Sequence, residues 1–65
     1  MTYIAVNKDN SFHIFDSIPE RVGDKWLLNN FEGLEVNPNF LATFIQDLEW
    51  EDMPTEISKN ELKKL

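Results

Sequence analysis

The sequence predicts an α+β domain, a small antiparallel sheet of two β-hairpins packed by one amphipathic helix over residues 38–48. Short β-branched and aromatic runs alternate with Asn, Asp and Gly clusters through the first half of the chain. Pro38 then opens a stretch whose apolar residues recur at helical spacing. With 42% apolar and 12% aromatic residues, the chain holds too much hydrophobic material for a disordered tail despite a net charge of -6.

The first hairpin joins Tyr3-Ile4-Ala5-Val6 to Phe12-His13-Ile14-Phe15 across Asn7-Lys8-Asp9-Asn10, residues that tolerate the left-handed conformations of tight turns. Ile4 and Val6 oppose Tyr3 and Ala5, so at least one strand needs cover on both faces, from a helix or a second subunit. Pro19 lacks a ladder donor and keeps Ile18 out of helix, which marks residues 16–21 as a loop, with a further turn at Val22-Gly23-Asp24. The second hairpin then pairs 25–28 with 31–36 across Asn29-Asn30, a type I′ turn, with Gly33 as a bulge.

Asn37 caps the helix and Pro38 fills its first position, where a missing N–H costs nothing. Phe40, Leu41, Phe44, Ile45 and Leu48 form its apolar stripe, and Phe44→Ala is expected to be severely destabilising. After Leu48 the pattern alternates, and acids at a helix C-terminus oppose the macrodipole, so residues 49–53 are expected to be extended. Ser58 and Glu61 make a capping box, with Ile57 and Leu62 as its staple, which predicts a short C-terminal helix over 59–65. The alternative for this end is an edge strand at Thr55-Glu56-Ile57.

Sixty-five residues make one small domain, 1–65. With no cysteine and no metal-ligand set, its stability rests on Phe and Trp packing or on a homodimer. No charged start with an apolar h-region is present, nor a run near the roughly 20 apolar residues that span a bilayer; a soluble, cytoplasmic protein is expected. Between Lys25 and Lys59 there is no Lys or Arg, while Glu32, Glu35, Asp47, Glu49, Glu51, Asp52 and Glu56 all fall there. That balance disfavours direct binding to nucleic acid or anionic lipid.

Catalytic signals are missing. His13 is the sole histidine and lies in a strand run, which favours a structural or surface role over metal ligation. Ser11, Ser17 and Ser58 lack a nucleophile elbow, and Gly23 and Gly33 are too isolated to cradle phosphate. No cofactor is expected. The acidic group Asp47, Glu49, Glu51, Asp52 and Glu56 has two readings. One is a solvated edge that keeps the protein soluble and blocks strand-to-strand aggregation. The other is a contact surface for a basic protein partner, such as the nucleic-acid groove of an enzyme, with Trp50 as anchor. Trp50 and Trp26 are each equally readable as core.

Tyr3-Ile4-Ala5-Val6-Asn7-Lys8-Asp9, Phe15 with Pro19-Glu20-Arg21, Trp26, and Trp50-Glu51-Asp52-Met53-Pro54 together resemble short, acidic, uncharacterised proteins encoded by phages and prophages. Such proteins often carry Gly in the first turn, where this chain has Asn10-Ser11. The resemblance implies no catalytic residues. It implies an accessory protein of the host cytoplasm that binds and inhibits host machinery, including nucleic-acid-handling and defence proteins; the alternative is an assembly protein that dimerises through its apolar faces.

Overall fold

The turn-forming residues after Val6 close the first hairpin as the sequence predicts. In the computed structural model, which describes residues 1–58, β1 (Thr2–Val6) and β2 (Phe12–Phe15) pair antiparallel from Tyr3↔Phe15 to Val6↔Phe12. Asn7 N–H donates to the Ser11 carbonyl at 2.9 Å and Asn10 N–H to the Asn7 carbonyl at 2.8 Å. Asn10 takes the left-handed position at φ 70°, the conformation for which Gly or Asn is needed.

The second hairpin differs from the expected one. Asn29 and Asn30 do form the predicted turn, at φ 51° and 67°, closed by paired 2.8 Å bonds between Leu28 and Phe31. Pairing stops after that one bridge. The strand β4 (Lys25–Leu27) instead pairs with β3 (Glu20–Val22), inside the stretch read as loop. Pro19 ends its influence one residue earlier, and Gly23 at φ 62° opens the two-residue connection from Val22 to Lys25. The strand β5 (Leu34–Val36) leaves β4 and pairs with β2, and β6 (Thr55–Ile57) pairs with β1. The edge strand read as an alternative at residues 55–57 does form; the helix expected over 59–65 lies outside the described residues.

The result is a four-stranded antiparallel sheet in the order β5-β2-β1-β6, beside the β3-β4 ribbon. Among the described residues the domain is mostly β, so the α+β expectation holds only for one short helical element. Ile4, Val6, Phe12, Val36 and Ile57 fill one sheet face together with Leu41 and Ile45. Ala5 and Phe15 fill the other, against Trp26, Leu28 and Trp50. Both faces of β1 are covered, by two segments of the same chain.

The expected helix over 38–48 is broken. It comprises a 3-10 turn, Pro38–Phe40, then extended Leu41 (ψ 156°) and Ala42 (ψ 150°), then a single α turn, α1 (Thr43–Gln46). Asn37 caps as predicted, its side chain accepting from Asn39 N–H at 2.9 Å. Asn39, Phe40, Thr43 and Phe44 are indifferent helix formers, and local propensity cannot outweigh tertiary demand in so short a segment. That demand is geometric: β5 and β6 occupy opposite edges, so the segment must cross the whole sheet face, about 14 Å at the usual strand spacing. The extended link aims both Leu41 and Ile45 into the core at 0% exposure, and Gln46 Nε2 donates to the Leu41 carbonyl left without a helical partner, at 2.8 Å.

Resetting the helical phase turns Phe40 and Phe44 outward, at 44% and 59% exposed, which corrects their assignment to the core. Phe44→Ala is accordingly expected to cost less than about 1 kcal/mol, against about 2 to 5 kcal/mol for Leu41→Ala. Urea denaturation of the two variants checks the order; a larger loss at Phe44 would contradict the outward placement.

Candidate protein-binding surface

The ribbon β3-β4 packs over the second sheet face because Trp26 is the one large apolar side chain that β4 can bury there, at 2% exposure. Asn7, itself buried, fixes it: its Oδ1 accepts from Trp26 N–H at 2.9 Å. The register sets Arg21 opposite Trp26. The Arg21 guanidinium lies 4.7 Å from the Trp26 ring centroid and 4.4 Å from that of Trp50, and the two indoles meet edge to face at 6.0 Å. A cation held between two aromatic faces is attracted by both ring quadrupoles.

Trp50 opens a tight turn, not the extended segment expected after Leu48. Asp52 N–H donates to the Glu49 carbonyl at 3.0 Å, and the Asp52 carboxylate accepts from Glu49 N–H at 2.8 Å. An alternating polar pattern was the misleading signal here, because a four-residue turn produces it as readily as a strand. Arg21 then donates to the Trp50 carbonyl at 2.6 Å, so one guanidinium holds both the ring and the backbone of this turn.

The six residues singled out in the sequence are thereby divided. Glu49, Glu51 and Asp52 are exposed around a half-buried Trp50 that packs inward on Trp26 and Arg21. Glu56 lies opposite Tyr3 on β6, on the sheet face that Trp50 helps cover. Asp47 closes α1, whose Ile45 belongs to the other face. Arg21 escaped sequence reading because it fell in an assumed loop. Its signal was the Gly23-Asp24 pair, which as a two-residue hairpin loop sets Arg21 against Trp26.

A second polar group spans the first turn. Ser11 Oγ donates to Asp9 Oδ1 at 2.6 Å and meets His13 Nε2 at 3.1 Å. The Ser11 hydroxyl, followed by its N–H, holds the exposed Asp9 carboxyl below the usual carboxylate range. An ionised Asp9 can only accept, so the Ser11 hydroxyl donates to it and accepts a hydrogen bond from His13 Nε2–H. In that polarity Ser11 is a link between turn and strand, with no base free to activate it. Nδ1 of His13 is buried without a partner, as is Trp26 Nε1.

Among the described residues, no cluster of three or more His, Asp or Glu side chains is placed to hold a metal ion, and no helix is long and apolar enough to cross a membrane. No family model matches the chain, and neither does any curated protein or solved structure.

Proposed function

We propose that this chain is a non-enzymatic binding module that captures a basic protein surface through the acidic turn 49–52. One observation carries the reading: Glu49, Glu51 and Asp52 project from a turn whose backbone and Trp50 ring are both fixed by Arg21. Charges on a preorganised support lose little freedom on binding. Residues 26–58 carry no Lys or Arg, so among the described residues the one cation placed against the turn is Arg21, whose charge offsets one of the three carboxylates and leaves the surface net acidic. The half-buried Trp50 is the support of this surface more than its anchor. In the setting implied by the resemblance to phage and prophage proteins, the partner is a host nucleic-acid-handling or defence protein in the cytoplasm, engaged at the groove that otherwise takes phosphate.

Glu49→Lys and Glu51→Lys, combined with Asp52→Asn so that an oxygen acceptor for Glu49 N–H remains, should cut recovery of the partner from host lysate at least about tenfold while the circular dichroism spectrum is unchanged. Undiminished recovery by the folded variant would refute the charge reading. The other reading, an assembly protein that dimerises, is favoured by the exposure of Phe31, Leu34 and Phe44. Sedimentation decides it, because a mass that stays monomeric at every concentration rules it out.

A further inference from the structure

We infer that the outer edge of β5 is a docking surface for an extended basic segment of a partner protein, added to the sheet as a fifth strand. It is independent of the acidic turn, which leads into β6 at the opposite edge. Among the described residues β5 pairs with β2 alone, and its outward N–H and C=O groups take part in no other hydrogen bond. Such an edge is a template for strand addition, and at three residues with Glu35 at its centre it admits only a short strand, one that brings the opposite charge. The strand also cannot twist away: Gly33, at φ 77°, lies so close to β2 that a Cβ there would fall 2.6 Å from the Ile14 carbonyl.

The register specifies what the added strand should carry. Leu34, 61% exposed, and Val36 point to the first sheet face, and Glu35 points to the second, in line with His13 and Ala5. An incoming strand sets an apolar residue against Leu34 or Val36 and its neighbour against Glu35. Glu35 makes no ion pair among the described residues, whereas Glu32 is joined to Lys25 at 3.2 Å. Glu35 lines an open depression of about 710 Å³ together with Asp9, Asn10, Ser11, Asn37 and Pro38. It gives a long basic side chain room beside two carboxylates. A second copy of this chain fits less well, since two-fold pairing centred on Glu35 opposes it to itself and brings together two bodies of net charge -6.

The isotope-labelled chain titrated with the blocked peptide Thr-Val-Lys-Val-Thr should show amide shifts concentrated at Leu34, Glu35 and Val36, and slowed hydrogen exchange there. The same peptide with Glu in place of Lys should bind about tenfold more weakly, and Glu35→Lys, an exposed change that leaves the core intact, should invert the preference. The inference is overturned by equal binding of the two peptides, by shifts that map to β6, or by the absence of shifts at millimolar peptide. Concentration-dependent shifts at β5 without peptide would overturn it in favour of self-association.

Discussion

Gly33→Ala should destabilise the domain by about 3 kcal/mol or more, a large part of what a chain of this size has to lose. Two costs add. At φ 77° any L side chain is strained, by about 1 to 3 kcal/mol. The added methyl would also stand 2.6 Å from the Ile14 carbonyl and 2.7 and 2.8 Å from the Phe15 ring. The carbonyl belongs to the central strand β2, paired on both sides, and Phe15 is 2% exposed in the second core, so neither neighbour can yield cheaply. Gly23→Ala isolates the first cost, because Gly23 has φ 62° and nothing within 4 Å of its Cβ position. Unfolding free energies of the two variants from urea denaturation should differ by at least about 1 kcal/mol; equal losses would show that the close approach of β5 to β2 is not as described.

What the sequence revealed follows the range of the interactions concerned. The first hairpin, the left-handed residue in its turn, the Asn29-Asn30 turn and the Asn37 cap were legible because each depends on contacts between near neighbours. The partner of β5 was not, because Leu34–Val36 could satisfy its apolar alternation equally against β4 or β2. Glu20–Val22 gave no strand signal at all, being exposed along its whole length. The apolar stripe of 38–48 named Leu41 and Ile45 correctly but misplaced Phe40 and Phe44, since it assumed a continuous helix where crossing the sheet required an extended link. At the candidate surface the four consecutive residues 49–52 were found by composition. Arg21, which fixes them from 29 positions away in the chain, was not.

That long-range dependence sets the second expected result. Trp26→Ala should cost about 3 to 5 kcal/mol, the range for a large buried aromatic, and should also loosen an acidic turn that it does not touch through any acid. Trp26 is the hub of the second core: Ala5, Phe15, Leu28 and Trp50 pack against it, and Arg21 is held over its ring. Its backbone bond to Asn7 survives the substitution, so the ribbon keeps one tether while Arg21 loses one of its two rings. Hydrogen exchange at Glu49 and Asp52, whose N–H groups close the turn, should accelerate beyond what the global loss of stability accounts for. Trp26→Phe supplies the test if the alanine variant does not fold. It keeps an aromatic face under Arg21 and removes the buried Nε1–H that has no acceptor, which offsets part of the lost volume. Its stability loss should be well under half that of alanine, with exchange in the turn nearly unchanged. If phenylalanine loosens the turn as much as alanine does, the Arg21 clamp is not what holds Glu49, Glu51 and Asp52 in place.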